Sequence, residues 1–120
     1  MVIDDSAAVR RAVEAVLAGA GYGVETASST APLQAALEGE APVDLLILDL
    51  WMPGQGGLEF LRQMRRSWKD LPVLIISGGG TDMSLEHATA LAEIRGAHGV
   101  LIKPFANSEL LSAVREAMGG

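Results

Sequence analysis

The sequence predicts an α/β fold, with five strand–helix units wound into one parallel sheet and helices on both faces. Three observations predict it. Short apolar runs rich in Val, Ile and Leu alternate with longer stretches of helical period. The stronger runs are continuously apolar, which marks strands covered on both faces and hence a parallel sheet. Each strong run also ends on a polar residue at its C-terminal end.

Taken in order, Val2-Ile3 is the first strand, ending on Asp4-Asp5. Ser6 is the N-cap of a first helix whose Val9, Val13, Val16 and Leu17 share a face, and Gly19 and Gly21 stop it. Gly23 to Ser28 is a weaker strand whose alternating polar residues suit a sheet edge. Thr30-Ala31-Pro32 starts a second helix with Leu33, Ala36 and Leu37 inward and Gly39 closing it. Val43 to Leu48 is the most apolar run and is followed by Asp49. Pro53 and the glycines after it then turn the chain into a third helix, striped by Leu61, Met64 and Trp68 and ended before Pro72. Pro72 to Ile76 forms a strand ending on Ser77. A fourth helix lies between Ser84 and Arg95, with an Ala-rich stripe of Leu85, Ala88, Leu91 and Ala92. Gly99 to Ile102 is the last strand and ends on Lys103. A fifth helix opens at Asn107 with Leu110, Leu111, Val114 and Met118 on one side. No repeat, low-complexity tract or linker interrupts the pattern, so residues 1–120 read as one domain.

Composition narrows the function. A formal charge of −6 and a pI near 4.7 argue against direct binding to a phosphate backbone. The chain has no cysteine, which excludes disulfides and thiolate metal sites and fits a reducing cytosol. No secretory leader and no membrane-length apolar run is visible, so the cytoplasm is the expected compartment.

The polar strand ends carry the chemistry. Asp49 and Ser77 are 28 positions apart, and Ser77 and Lys103 are 26, each about one helix plus one strand. Such spacing predicts that the three groups stand at the same level of a parallel sheet. Ligands of open α/β sheets bind beyond the carboxyl ends of the strands, where the strand order reverses. If the order is 2-1-3-4-5, Asp4, Asp5 and Asp49 converge there, flanked by Ser77 and Lys103. Three carboxylates in one crevice stay ionised together only around a cation. Hard oxygen ligands at a shallow edge suit Mg²⁺, which keeps several waters. Carboxylate, metal, hydroxyl and ammonium together make a site for phosphoryl transfer.

These residues resemble the receiver domain of response regulators, the CheY-like, flavodoxin-like (βα)5 family of two-component signalling. The matching pieces are "DDS" (Asp4 to Ser6), "LILDLWMPGQGG" (Leu46 to Gly57), "LIISG" (Leu74 to Gly78) and "GAHGVLIKPF" (Gly96 to Phe105). Each is weak alone; in this order and at these spacings they are specific, and they cover nearly the whole chain. The resemblance implies the strand order 2-1-3-4-5. It implies that Asp49 is the phosphoacceptor, taking its phosphoryl group from a histidine kinase or histidine phosphotransfer protein. It implies Mg²⁺ held by Asp5, Asp49 and the backbone carbonyl of Trp51, with Asp4 binding the metal or orienting its waters. Ser77 would turn toward the phosphoryl oxygens, Lys103 would pair with the acyl phosphate, and the Lys103–Pro104 bond would be cis. The partner or dimer surface would comprise Leu85 to Arg95, Val100 and Leu110 to Met118, serving a downstream protein or output domain as a monomer or a phosphorylation-dependent homodimer. Such a module catalyses only its own phosphorylation and dephosphorylation and is not otherwise an enzyme.

The chain departs from the family at three places. The position three before the lysine, usually aromatic, is Val100, which leaves a switch based on a swinging ring without its ring. The first strand is short, because the sequence begins only three residues before Asp4. The loop after Ser77 is "GGGT", which raises backbone freedom. Trp51 and Gly79 stand two beyond the acceptor and two beyond the hydroxyl, positions that tune phosphoryl lifetime in this family.

Two other functions stay open from the sequence. One is a phosphatase with an Asp nucleophile; such enzymes carry a second acid two residues after the nucleophile, where this chain has Trp51. The other is a receiver-shaped interaction domain that is never phosphorylated. Taken singly, each site residue also has a plainer reading: Asp4-Asp5 as a turn or cap, Asp49 as a strand terminator, Ser77 as structural and Lys103 as a solvated lysine. His87 and His98 lie off the inferred site edge and read as surface or helix-end residues. Arg62, Arg65, Arg66 and Lys69 read as a solvated helix face. No output domain follows Gly120, so the chain reads as a stand-alone regulator or an excised receiver.

Overall fold

The computed structural model describes residues 1–29, 31–39, 43–49, 51–52, 55–56, 66, 68, 70–77, 99–103 and 105–119. Five strands form a parallel sheet: β1 (Val2–Ile3), β2 (Thr26–Ala27), β3 (Leu46–Asp49), β6 (Val73–Ser77) and β7 (Gly99–Ile102). Their order across the sheet is β2-β1-β3-β6-β7, which is 2-1-3-4-5 when only these strands are counted along the chain. A separate antiparallel pair, β4 (Trp51–Met52) with β5 (Gln55–Gly56), lies between β3 and β6 in the chain.

Side chains alternate across the sheet as strand geometry requires. Ile3, Leu46, Leu48, Val73 and Ile75 form one buried cluster with Leu33 of helix α2 (Ala31–Glu38) and with Leu71. Trp68 and Val100 pack against it half-buried. Val2, Ile47, Leu74, Ile76 and Leu101 form the opposite cluster. It is covered by Val13 and Leu17 of α1 (Ala7–Gly19) and by Leu110, Val114 and Ala117 of α3 (Asn107–Ala117). Helices thus lie on both faces, which is why the strands carry continuous apolar runs.

The helix ends follow local chemistry. Ser6 has an extended backbone, and its Oγ accepts from the Val9 amide at 3.3 Å, satisfying one of the first-turn donors. At the other end, Gly21 takes φ of +96° and donates to the Ala18 carbonyl at 3.0 Å, while Tyr22 donates to Leu17 at 3.0 Å. That bond pair is the Schellman arrangement, with Tyr22 and Leu17 in one apolar cluster. In α2, Pro32 sits in the first turn, where its missing N–H costs nothing. α3 starts after Ala106, whose amide donates to Glu109 Oε1 at 2.9 Å.

Three expectations change. An antiparallel pair that the sequence reading did not include follows Asp49: Trp51 pairs with Gly56 and Met52 with Gln55. In α3, Leu110, Val114 and Ala117 are buried and Leu111 is half-buried, whereas Met118, expected on the same side, is the C-cap and is 42% exposed. Leu110 and Val114 are core residues, so of the expected Leu110 to Met118 surface only Ser112, Arg115, Glu116 and Met118 are exposed. Val100 is half-buried against the Ile75 side of the core. The fourth helix, most of the third, the "GGGT" loop, His87, His98, Pro104 and Gly79 lie outside the described residues.

Candidate functional site

The sheet register builds the site. Val2 pairs with Ile47 and Ile3 with Leu48, so Asp4 follows β1 at the level of Asp49 on β3. The order of strands reverses between these two, and both leave their carboxylates at the carboxyl edge. Asp49 pairs with Ile76, and Ser77 pairs with Ile102. Ser77 therefore stands one residue beyond the level of Asp49, and Lys103 two. This corrects the expectation of a single level: segment length counts loop residues as well as strand, whereas hydrogen-bonded register alone sets height. The stagger suits the side chains, because the long lysine reaches back over the edge to the acids.

Lys103 is 24% exposed and its Nζ lies 2.8 Å from Asp4 Oδ2 and 3.7 Å from Asp49 Oδ2. It also lines an apolar groove of about 450 Å³ with Val9, Val13, Val16, Phe105 and Leu110. The aliphatic stem thus has apolar neighbours while the ammonium reaches the carboxylates.

Asp4 is fully buried and Asp49 is 2% exposed, which is costly for ionised groups unless charge and hydrogen bonds compensate. Asp4 is tied down along its length. Its amide donates to the Ala27 carbonyl at 3.1 Å, and its Oδ1 accepts from the Ser6 amide at 2.8 Å. Its own carbonyl accepts from Arg10 Nη1 at 2.6 Å. Oδ2 has no well-directed hydrogen bond; the lysine ammonium is close enough for an ion pair but is not aligned as a donor. Asp5 is exposed at the rim.

One carboxylate oxygen from each of Asp4, Asp5 and Asp49 lies within 4.8 Å of the others. The group fits a divalent cation: three hard oxygen donors converge, one of them buried without a directed hydrogen bond. Ser77 ends β6 beside this cluster and Trp51 begins β4 two residues after Asp49. The Ser77 hydroxyl and the Lys103–Pro104 bond are outside the described residues. Arg10 was not singled out from the sequence. Its position is legible afterwards: it is the residue whose amide makes the first helical bond, to the Ser6 carbonyl, so it stands directly above the acidic turn.

Known proteins agree with this layout. A family model described as the response regulator receiver domain matches residues 1–115. The response regulator MprA of Mycobacterium avium (strain 104) is 37% identical over 115 residues, covering 96% of this chain and 48% of that protein. The chain thus spans about half the length of the curated relatives it matches. Among solved structures, the receiver domain of NtrX from Brucella abortus superposes with a TM-score of 0.86 at 32% identity, covering 98% of this chain and 96% of that one. The chemotaxis response regulator CheY4 of Vibrio cholerae gives 0.82 at 33%, covering 97% and 94%. An acid cluster at the reversal of a 2-1-3-4-5 sheet, and a family match over nearly every residue, place this chain in the response regulator receiver domain family of two-component systems.

Proposed function

We propose that the chain is a phosphoacceptor module in which Asp49 receives a phosphoryl group from a histidine kinase or histidine phosphotransfer protein, with Mg²⁺ as the metal. The observation that carries this reading is the placement of the Lys103 ammonium between Asp4 and Asp49, in a cluster where Asp5 adds a third carboxylate. Asp49 sits at the end of a strand whose four residues are all buried, so its carboxylate is held in place. A fixed nucleophile and fixed charges lower the cost of reorganisation during transfer.

In the proposed step a carboxylate oxygen of Asp49 forms a bond to phosphorus as the donor's P–N bond breaks. The electron pair of that bond returns to the donor imidazole. Lys103 offsets charge on the phosphoryl oxygens, and Ser77 donates its hydroxyl to them. Asp4, Asp5, Asp49 and the Trp51 carbonyl would hold Mg²⁺, which supplies further neutralisation of the phosphoryl oxygens when bound. Trp51 stands where a phosphatase of this chemistry carries its general acid, so leaving groups gain no proton there and turnover on phosphoesters is not expected. The module acts on itself only. Its output would pass to a downstream protein, an output domain or a second copy through the exposed Ser112, Arg115, Glu116 and Met118 of the C-terminal helix and through residues 85–95 and 100.

Incubation with acetyl phosphate or phosphoramidate and Mg²⁺ should add one phosphoryl group by intact mass. Asp49→Ala and EDTA should each abolish it. An unchanged mass under saturating donor would overturn the reading, and sustained phosphate release from a small ester would favour the phosphatase instead. Identical partner binding by wild type and Asp49→Ala, with and without donor, would favour a module that is never phosphorylated.

A further inference from the structure

The cation reading assigns the metal to Asp4, Asp5 and Asp49 but leaves open how exposed Asp5 is kept in register with buried Asp4. Asp4 is secured through its amide and Oδ1. The Oδ1 bond to the Ser6 amide closes a turn around the peptide that follows but makes no contact with its carbonyl oxygen. That peptide is a rigid plane, so its carbonyl direction sets where Asp5 begins. Arg10 Nη1 donates to this carbonyl at 2.6 Å. Arg10 is half-buried, its own amide is bonded to Ser6 at 3.0 Å, and among the described residues it forms no ion pair. It is thus anchored to the helix start and committed to the Asp4–Asp5 peptide.

We infer that Arg10 is a positioning residue for the divalent cation: it locks the peptide plane between Asp4 and Asp5 and so sets the separation of two of the three carboxylates. The inference rests on the cation reading above. Its logic is that of outer-shell partners that orient ligands and whose loss weakens binding. A guanidinium near three acids has a competing effect, because its charge repels the incoming cation. The two roles predict opposite signs. If only the charge mattered, a neutral residue would tighten metal binding; if positioning dominates, the neutral residue weakens it.

The test is isothermal titration of Mg²⁺ into the wild-type chain, Arg10→Met and Arg10→Lys, with Asp49→Asn as a control. Arg10→Met keeps the apolar stem and removes both donor and charge; it should weaken Mg²⁺ binding about 10-fold. Arg10→Lys keeps one donor and the charge, which suffices for a single carbonyl, and should retain most of the affinity. Unchanged or tighter binding by Arg10→Met would overturn the inference while leaving the cation site standing, as would equal weakening by both variants. If Arg10→Met does not fold, wild-type affinity in Arg10→Lys supports the inference and a full 10-fold loss there overturns it. Absence of Mg²⁺ binding by the wild-type chain would overturn the cation reading and this inference together.

Discussion

Asp4 spends its amide, carbonyl and one carboxylate oxygen on fixed partners, and only Oδ2 is left for a cation, with Lys103 beside it. The lysine therefore offsets two buried carboxylates at once. Lys103→Met should remove that positive charge from beside both. A pair with a 24% exposed ammonium is partly screened, so the loss is below that of a fully buried pair, about 1–3 kcal/mol in urea unfolding with EDTA present. Added Mg²⁺ should restore part of that stability by binding the folded state alone. Unchanged unfolding in EDTA would contradict the ion-pair account. The site residues were legible in the sequence because each ends an apolar run. Arg10 was not, because an arginine on a first helical turn is ordinary until its partner is known to be a carbonyl rather than solvent.

At the scale of elements, the C-terminal end of α1 has two glycines with opposite demands, Gly19 as its last residue and Gly21 just past the C-cap. Gly21 has φ of +96°, a conformation that disfavours any L side chain, yet a Cβ there would meet nothing within 4 Å. Its cost is purely backbone strain, so Gly21→Ala should destabilise by about 1–2 kcal/mol. Gly19 is helical and a Cβ there also meets open space. Gly19→Ala should stabilise by about 0.5–1 kcal/mol. Thermal unfolding of the two variants should shift Tm in opposite directions, and a shared sign would contradict the Schellman geometry. Elements with strong periodicity were readable in advance: Val13 and Leu17 face inward, and β3, β6 and β7 begin within three residues of their expected starts and end within one of their expected ends. The hairpin of β4 and β5 was not, because two-residue strands carry no periodicity. Height at the sheet edge was also unreadable, since counting residues between strands cannot separate loop length from register.

For the whole molecule, the two apolar layers are what make the edge a site. Alternate residues of β3 and β6 belong to opposite clusters, so a one-residue slip of either strand would move its side chains to the wrong helices and displace Asp49 or Ser77 from the edge. The strand register that seats the two apolar layers is thus the same register that places the site. Charge balance belongs to this scale as well: a chain of net charge −6 gathers three acids at one point, where the Lys103 ammonium offsets part of their charge. The central claim is that Asp49, and neither Asp4 nor Asp5, is the acceptor. Its most direct test is to treat the chain with acetyl phosphate and Mg²⁺, reduce the acyl phosphate with borohydride, and sequence the peptides by mass spectrometry. The account predicts homoserine at position 49 alone. Homoserine at position 4 or 5, or at none of the three after saturating treatment, would contradict it.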